Sequence, residues 1–449
     1  MIGKGRILVI GGNAAGPAAA AKAKRVSRES DVIMFEAGKF ISTGTCEIPY
    51  VLSGEISSYE KIVFYNEEKF KSEKGVEVFT NHLVTEINRK EKFIISKNLN
   101  DNSVNQHYYD KLIIATGSKP KRVNYLPENA ANVFTLKSIS DLIKLKEFIS
   151  ANNIKTAAVI GSGYLGLEVV DALKKINLEI ILIEKEKLVI PSAETEISFL
   201  VQELLKNHGI MVYRNIINPK VNFENGKVIS LEIDSRVIEF DFIITATGFV
   251  PNSELAEKSK IELGKFGGIK VDNRLKTSDQ NIFAAGDNIE IRNAVTNKYD
   301  YIPLATLAHE YGHIAGANAA GLNINAEPTV KNLSFKIFDK FYNVVGLSSL
   351  EAEKHGFYFS SVSEVVPNLI KVMPDSENVF GKIIYDKNSR RILGAAFFGG
   401  KEVAGYGDII SILIKTKQTV NVLSSVNYNY TPPLSPIINL LSVLGRKIK

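Results

Sequence analysis

The sequence contains one cysteine, Cys46, in the stretch FISTGTCEIPYVLSG. The thiolate of a cysteine attacks disulfide sulfur and forms a mixed disulfide. An internal dithiol pair is excluded, because the chain has no second cysteine and Val51 stands five residues after the first. A position at a helix N-terminus, together with the hydroxyls of Thr43 and Thr45, would lower the thiol pKa, whereas Glu47 would raise it. A lone cysteine is more often an inert buried thiol, so its meaning depends on the rest of the chain.

Two glycine-rich turns could bind dinucleotide phosphates. The more specific one, in AAVIGSGYLGLEVV, has the full G-x-G-x-x-G pattern at Gly161, Gly163 and Gly166. The first glycine permits the turn, the second lets the backbone approach a pyrophosphate, and the third lets helix and strand pack closely. The following helix directs the positive end of its dipole at the phosphates. Glu184 ends the next strand, where a carboxylate accepts hydrogen bonds from ribose hydroxyls.

The same carboxylate bears on nucleotide choice. An acid at the end of this strand disfavours the 2′-phosphate of NADP. Lys185 and Lys187 follow Glu184 closely enough to weaken that preference. The sequence therefore favours NADH over NADPH without excluding either nucleotide.

The turn near the N-terminus is a degenerate version of the same pattern. The stretch RILVIGGNAAGPAAA keeps Gly11 and Gly16 but has Asn13 in place of the middle glycine. Glu36 ends the next strand, as an acid does in dinucleotide-binding units. A turn without any ligand is the alternative, and the second such unit about 150 residues later argues against it.

The elements around these turns form a repeated βαβ unit. Each copy has a buried strand, a glycine-rich turn, an Ala- or Leu-rich helix and a second strand that ends in an acid. Three further strand-like segments follow, KLIIATGSKP, DFIITATGFVP and NIFAAGD. Beyond about Glu327, segments such as LSFKIFD, VVGLSS, FGKIIYD and RILGAAFFGG are typical of antiparallel strands. The sequence predicts an α/β protein with two Rossmann-like dinucleotide-binding domains and a C-terminal α+β domain.

Composition narrows the class of protein. The 449 residues, with 45% hydrophobic and 23% charged, allow about three domains. The net charge of +6 is spread along the chain, so no nucleic-acid partner is expected. The apolar run Ile7–Ile10 is too short for a signal peptide, and no run is long enough for a membrane span. A single thiol fits a reducing compartment, and we therefore expect a cytoplasmic protein.

The two nucleotide units, the two Ala-Thr-Gly turns and the NIFAAGD segment together resemble the FAD-dependent pyridine nucleotide–disulfide oxidoreductases. The resemblance covers essentially the whole chain and implies the glutathione-reductase-like fold. It implies an FAD-binding domain of residues 1–120 and 249–327 and an NAD(P)H-binding domain of residues 121–248. Residues 328–449 would form the interface domain of a homodimer.

The resemblance also implies roles for individual residues. Glu36 would contact the adenosine ribose of FAD, and Asp287 would hold the ribityl chain. Tyr164 would gate the nicotinamide, and Glu168 would lie beside the hydride path. The remaining implied contacts are Gly11, Asn13, Ala14, Ala15, Gly16, Thr116, Gly117, Leu304 and Ala305 for FAD, and Gly161, Gly163, Gly166, Glu184 and Gly248 for NAD(P)H. No metal is implied.

The cysteine segment is similar to a single-cysteine subgroup of this family. That subgroup includes CoA-disulfide reductases, persulfide or polysulfide reductases, and NADH oxidases and peroxidases. The oxidases and peroxidases carry a histidine in the first glycine loop, where this chain has Ala14. The stretch NYNYTPPLSP resembles a Tyr-Ala-Pro-Pro segment of the CoA-disulfide reductases. It implies that Tyr430, in preference to Tyr428, donates a proton near Cys46 of the other subunit.

The same comparison implies a substrate site and some departures from it. Lys22, Arg25 and Ser42 match CoA-binding positions, although the first two could equally form a solvated helix face. LIKVMPDSE replaces a Tyr-Tyr-Pro-Gly stretch, and Thr45 replaces an asparagine. The dipeptide His309–Glu310 could serve as a substitute proton relay, although a structural histidine is more usual there.

Three functions remain open at this stage. The first is an NAD(P)H-dependent reductase of a CoA disulfide, persulfide or polysulfide, acting through FAD and Cys46. The second is an NAD(P)H oxidase that reduces oxygen at the flavin, and the third is an NADH-responsive redox-sensing flavoprotein. Glu47 could donate a proton to the leaving sulfur or face solvent. The tail IINLLSVLGRKIK predicts a helix packed at the dimer interface rather than on a membrane surface.

Overall fold

The computed structural model describes residues 5–448, so the first four residues of the expected FAD-binding domain and Lys449 of the expected tail lie outside the described part. The N-terminal region opens with short apolar strands buried on both faces, as parallel strands require. Its strands are β1 (Arg6–Ile10), β2 (Asp31–Phe35), β3 (Ile41–Thr43), β4 (Val63–Tyr65), β5 (Glu77–Phe79), β6 (His82–Asn88), β7 (Phe93–Asn98), β8 (Val104–Tyr108), β9 (Lys111–Ile114) and β10 (Ser118–Pro120), and its helices are α1 (Ala15–Val26), α2 (Ile48–Leu52) and α3 (Glu67–Lys74).

The second region repeats this plan. Its strands are β11 (Val133–Phe134), β12 (Thr156–Ile160), β13 (Glu179–Ile183), β14 (Met211–Tyr213), β15 (Lys220–Glu224), β16 (Lys227–Ile233), β17 (Arg236–Glu239), β18 (Phe242–Thr245) and β19 (Phe249–Pro251), and its helices are α4 (Ile139–Ala151), α5 (Tyr164–Lys175), α6 (Thr195–Asn207) and α7 (Glu254–Lys258). Its central sheet is parallel, in the order β11-β18-β12-β13-β14.

The last region completes the first sheet and adds a separate one. Its strands are β20 (Ile282–Ala284), β21 (Ile291–Arg292), β22 (Tyr299–Asp300), β23 (Asn332–Ile337), β24 (Lys340–Gly346), β25 (Phe359–Pro367), β26 (Asn378–Asp386) and β27 (Ile392–Gly399), and its helices are α8 (Ala305–Ala319), α9 (Ser349–Lys354), α10 (Glu402–Lys415), α11 (Val422–Ser425) and α12 (Leu440–Lys447). Strand β20 pairs with β9, which gives a parallel sheet in the order β20-β9-β1-β2-β5.

Strands β23 to β27 form an antiparallel sheet in the order β23-β24-β27-β26-β25. Helix α12, near the end of the tail, buries Leu440, Leu441 and Leu444 within its own chain. No helix among residues 5–448 is long and apolar enough to cross a membrane. The predicted α/β class, with two parallel dinucleotide-type sheets and an α+β region, is confirmed.

Helices α1 and α8 meet in a seam of small residues. A Cβ on Gly312 would overlap the carbonyl oxygen of Ala15, and a Cβ on Gly316 would overlap that of Ala19. The two helices can therefore approach this closely only because both positions lack a side chain. The seam sets the two helices side by side, so that side chains from both reach the same cavity described below.

Candidate active site

The first glycine loop is closed by a carboxylate. A Cβ on Gly16 would overlap the carbonyl oxygen of Gly11, so the turn is as tight as its pattern predicts. Glu36 follows β2, and its two oxygens accept from the backbone N–H of Gly12 (2.6 Å) and of Gly38 (2.7 Å). The carboxylate expected at the ribose is thus held in place by the loop that would carry the phosphates.

The second loop repeats this arrangement. Glu184 is buried, and one oxygen accepts from both the backbone N–H (2.8 Å) and the hydroxyl (2.7 Å) of Ser162. Its other oxygen accepts from the N–H of Glu186 (2.9 Å). Nothing lies within 4 Å of a Cβ placed on Gly163, so this side of the loop is open. Lys185 pairs with Glu186 at 3.3 Å, which partly neutralises the cation expected to weaken the preference for NADH.

Polar groups that would face a flavin nucleotide gather beyond the first loop. Asp287 accepts from the Ser118 hydroxyl at 3.0 Å and lies 3.5 Å from the Lys137 ammonium. Asn288 donates to the Thr116 hydroxyl at 3.1 Å, while its buried Oδ1 has no partner among the described residues. A tight loop with free backbone N–H groups, an unpaired buried acceptor and a nearby carboxylate fit FAD.

Other residues expected at the cofactors lie on the same elements. Leu304 is the N-cap residue of α8 and Ala305 is its first residue. Ala14 and Ala15 belong to the first loop and the start of α1. Gly117 follows β9, at the edge of the sheet that carries the first loop, and Gly248 follows β18 in the same way in the second unit.

Cys46 lies in a short 3-10 turn, Thr45–Glu47, between β3 and α2, and its side chain is accessible from outside. Removal from water by the surrounding protein raises the pKa of its thiol, and the charges of Glu47 and Glu168 raise it further. Of the two opposed influences expected from the sequence, the raising by Glu47 therefore prevails. Helix α2 starts only after the cysteine and has five residues. The Thr43 hydroxyl donates to Asn13 Oδ1 at 3.1 Å, so its hydrogen is not available to the sulfur.

Glu47 is partly buried and folds back over its own turn. One of its carboxylate oxygens would lie 2.5 Å from a Cβ placed on Gly44. The side chain therefore occupies the space beside that glycine instead of extending fully into solvent. From there its charge acts on the Cys46 thiol.

Tyr164 and Glu168 lie at the start of α5, near Cys46. Burial, helped by Asp287, Cys46 and Glu168, raises the pKa of Tyr164 to about 12. Burial, helped by Asp171, raises the pKa of Glu168 to about 8. The structure thus brings the expected gate tyrosine, the expected hydride-path acid, the ribityl acid and the cysteine into one neighbourhood.

Among residues 5–448, no lysine forms an ion pair with Glu168. Lys175, one turn further on from Asp171, binds Asp171 (3.1 Å) and Glu55 (2.8 Å). Lys336, from the C-terminal sheet, lies 3.6 Å from Glu55. These nearby cations are matched by other carboxylates, and the raised pKa of Glu168 follows mainly from its burial.

A cavity of about 490 Å³ lies between α1, α3, α8 and the cysteine segment. Its wall includes Ser42 and Thr43, four and three residues before Cys46, and four basic side chains. The basic and aromatic residues of the wall are Arg25, Lys74, His309, His313, Phe64, Tyr65 and Phe70. The expected substrate residues Arg25 and Ser42 therefore share one cavity.

Lys22, the third expected substrate residue, is not among the side chains that line this cavity, although its charge reaches His313. The sequence prediction missed Lys74 and His313. The spacing of His309 and His313 by four residues in a helix was a usable signal, since such residues share a face. Their rings lie 4.6 Å apart, edge to face. Burial, His309 and Arg25 lower the pKa of His313.

Tyr430 lies in the segment between α11 and α12 and is 43% exposed. Tyr428 is partly buried, and its hydroxyl donates to the carbonyl of Leu423 at 3.0 Å. A role for Tyr430 at the cysteine of another subunit therefore stays a prediction. The described residues contain no cluster of His, Cys, Asp or Glu that could hold a metal ion.

Comparison with known proteins shows which proteins this chain is similar to. The sequence profile of the pyridine nucleotide-disulphide oxidoreductases matches residues 5–312. The chain is 29% identical over 441 residues to an NADH oxidase of Methanocaldococcus jannaschii, with 98% of this chain and 97% of that protein covered. It is 29% identical over 445 residues to a coenzyme A disulfide reductase of Staphylococcus aureus, with 99% and 100% covered. A NAD-dependent persulfide reductase from A. fulgidus has a TM-score of 0.92 and 31% identity, over 98% of this chain and 82% of that one.

The profile match spans more than half of the chain, and the relatives cover nearly all of it. Enzymes of this kind depend on FAD and use NAD(P)H, and the two loops described above fit those two nucleotides. The resemblance inferred from the residues is therefore confirmed. The chain belongs to the pyridine nucleotide-disulphide oxidoreductase family and is an FAD-dependent enzyme that oxidises NAD(P)H.

Proposed function

We propose that this enzyme reduces a CoA-linked disulfide, persulfide or polysulfide through Cys46, with electrons from NAD(P)H. The observation that carries the proposal is the cavity in which Arg25 and Lys74 lie on the wall that also contains Ser42 and Thr43 of the cysteine segment. A substrate with phosphates at one end and sulfur at the other would use both parts. The relatives named as coenzyme A disulfide reductase and persulfide reductase support this choice.

The proposed division of labour follows the sheets. Residues 1–120 and 249–327 would bind FAD through the first loop, Glu36 and Asp287, and residues 121–248 would bind NAD(P)H through the second loop and Glu184. Bound FAD would supply a carrier that accepts a hydride and passes an electron pair to sulfur. Tyr164 would cover the flavin until the nicotinamide arrives.

In the proposed cycle the Cys46 thiolate attacks a substrate sulfur, so that a mixed disulfide forms and a substrate thiolate leaves. Protonation of that thiolate completes the first release. An electron pair that originates from NAD(P)H then cleaves the mixed disulfide, which restores the Cys46 thiolate and frees the second substrate thiol. Overall one NAD(P)H and one proton convert one disulfide into two thiols.

The protons for the leaving sulfurs need a donor near Cys46. Tyr430 of a second subunit is the proposed donor, and Glu47 is the carboxyl of the same chain whose charge acts most strongly on the thiol. We propose a homodimer built on the C-terminal region of residues 328–449. Its surface exposes a group of large apolar side chains, Ile409, Ile412, Leu434, Ile437 and Ile438, which a second copy of this region would cover. The absence of disulfide partners for Cys46 fits a cytoplasmic enzyme.

Oxidation of NADH is to be measured with CoA disulfide under nitrogen and with oxygen alone. We expect disulfide-dependent turnover that Cys46→Ser abolishes, and a rise in KM for CoA disulfide in Arg25→Ala and Lys74→Ala by about tenfold each. Lys270→Ala, which removes an exposed lysine paired with Glu262, is the matched control and leaves KM unchanged. Mass spectrometry without reductant should detect a CoA adduct on Cys46. No disulfide turnover in the wild type would overturn the proposal.

Reduction of oxygen at the flavin is the second candidate. The raised pKa of the Cys46 thiol favours it, since less thiolate is present at neutral pH to attack a disulfide. In that case Cys46→Ser would retain most NADH oxidation in air, and Arg25→Ala would leave it unchanged.

A further inference from the structure

We propose that Asn13 is a positioning residue that ties the first glycine loop to the turn that carries Cys46. The proposed link holds the dinucleotide-binding loop and the redox sulfur in one fixed relation. It goes beyond the proposed function, because it does not depend on which acceptor the sulfur serves.

The contact itself is made by one side-chain oxygen. Asn13 stands where the pattern has its middle glycine, and its Oδ1 accepts from the backbone N–H of Thr43 at 3.0 Å and from the Thr43 hydroxyl at 3.1 Å. Thr43 precedes Cys46 by three residues. A glycine at position 13 would offer no acceptor, so this link exists only because the chain departs from the pattern.

Neighbouring contacts show that the turn needs to be held. Ser42 has a φ of 50°, in the left-handed region that a residue with a Cβ rarely adopts. Its N–H donates to the carbonyl of Gly12 at 2.8 Å, which is a second bond to the same loop. On the other side, the N–H of Gly44 donates to the carbonyl of Ile62 at 2.8 Å. The turn is thus clamped between the glycine loop and the start of β4, and Asn13 supplies two of the bonds.

The clamp has a chemical consequence at the sulfur. The Thr43 hydroxyl has one hydrogen, and that hydrogen is directed at Asn13. Thr43 therefore fixes where the turn lies and cannot also donate to a thiolate. Asn13 acts on Cys46 through this geometry, and its side chain also lines the 490 Å³ cavity beside the cysteine segment.

Three variants differ in how many of the hydrogen bonds between Asn13 and Thr43 they keep. Asn13→Gly removes both bonds and restores the glycine of the pattern, Thr43→Val removes the hydroxyl bond and keeps the N–H, and Thr43→Ser keeps both donors. Asn98→Ala is the matched control, because Asn98 Oδ1 also accepts a backbone N–H, from Asn100, but in an exposed turn. All variants are studied as the full chain with FAD bound.

The first measurement is hydrogen exchange at the Thr43 amide. We expect exchange to speed up by about tenfold in Asn13→Gly, to change little in Thr43→Ser and to stay unchanged in Asn98→Ala. The second measurement separates the two half-reactions by rapid mixing. Asn13→Gly should reduce its flavin with NADH within about threefold of the wild-type rate and return electrons to disulfide about tenfold or more slowly, with Thr43→Val between the two.

Two results would overturn the proposal. In one, Thr43 exchange in Asn13→Gly equals that of the wild type. In the other, Asn13→Gly loses FAD and both half-reactions together, which would make Asn13 simply part of the FAD site. Failure of the proposed function is separate from both results, because a wild-type enzyme that reduces no disulfide still reports on the clamp through amide exchange.

Discussion

In both dinucleotide-binding units a carboxylate holds the glycine loop, and the two units differ at the middle position of that loop. In each, the acid that follows the second strand, Glu36 or Glu184, accepts one backbone N–H of the glycine loop and one from the residue two positions after the acid. At the middle position the first loop has Asn13, which binds the cysteine turn, and the second has Gly163, which faces open space. The degenerate motif is therefore not a weakened copy, since its one departure is used to hold another segment.

The helices that follow the loops differ in the same way. With Gly11 aligned to Gly161, Ala18 of α1 occupies the place where α5 has Glu168. Helix α1 uses its small residues to pack on α8, whereas α5 directs an acid toward the cysteine cleft. Helix α1 thus serves to pack on α8, whereas α5 also supplies charge at the redox site.

The largest expected effect comes from substitutions within the glycine loops. Gly16→Ala places a Cβ on the carbonyl of Gly11, and we expect a loss of about 3 kcal/mol in unfolding free energy together with loss of flavin. Gly166→Ala makes the equivalent overlap with Gly161 in the second unit and should keep flavin absorbance but lose its reduction by NADH. Thermal melts and flavin spectra measure both.

Gly163→Ala is the control for these loop variants, because a Cβ there meets no atom within 4 Å. Its melting temperature should stay within about 2 °C of the wild type. Retention of flavin and of the wild-type melting temperature in Gly16→Ala would contradict the tight contact in the first loop.

The next largest effect tests the carboxylate that holds each glycine loop. Glu184→Ala removes three accepted hydrogen bonds from a buried site and should cost about 3 kcal/mol, whereas Glu36→Ala removes two from a partly buried site and should cost about 2 kcal/mol. Urea unfolding gives both values. Glu262→Ala, which breaks an exposed ion pair, should change stability by less than about 0.5 kcal/mol. A larger loss for Glu36→Ala than for Glu184→Ala would reverse the predicted order.

Glu168→Gln sharpens the contrast between α5 and α1. Because burial raises the pKa of Glu168 to about 8, the folded state keeps a proton that the unfolded state releases above its ordinary value of 4.5. Stability of the wild type should therefore fall as pH rises from about 5 through about 8. The glutamine variant lacks this decline, so its advantage should grow by roughly 1 kcal/mol per pH unit across this range. Urea unfolding at the two ends of this range measures it, and a constant difference would show that Glu168 ionises normally.

The smallest expected effect compares the two acids that act on Cys46, one from each unit. Both Glu47 and Glu168 raise the pKa of the thiol, and Glu47 does so more strongly. Glu47→Gln should speed alkylation of Cys46 by iodoacetamide at neutral pH by about threefold, and Glu168→Gln by less than about twofold. Lys137→Gln should slow alkylation, since the lysine lowers that pKa. Equal rates in all four proteins would remove these charges from the account of Cys46.

Much of the fold could be predicted because local pattern and burial agree. The glycine turns and the acids after the second strands follow from residue types at fixed spacing. The sheets β6-β7-β8 and β15-β16-β17, and the strand β25, were missed. Their strands mix polar and apolar residues without a long buried run, so the periodic signal is weak.

The site was predicted less completely, for reasons of tertiary contact. The direction of the thiol pKa stayed open in the sequence because it depends on burial and on Glu168, which only the folded chain brings to Cys46. Lys74 reaches the cavity from the end of α3, and nothing in its own stretch marks it. Local sequence thus identified which residues have reactive groups but not which partner uses each hydrogen.

The seam of α1 and α8 gives helix α8 two faces of opposite tolerance to redesign. Its inner face, with Gly312 and Gly316, accepts no enlargement, because any side chain there would drive the helix off the backbone of α1. Its outer face, with His309 on the cavity wall, can change without moving the helix. A laboratory that wishes to alter which acceptor this enzyme takes should therefore diversify the outer face of α8 and leave the glycines fixed.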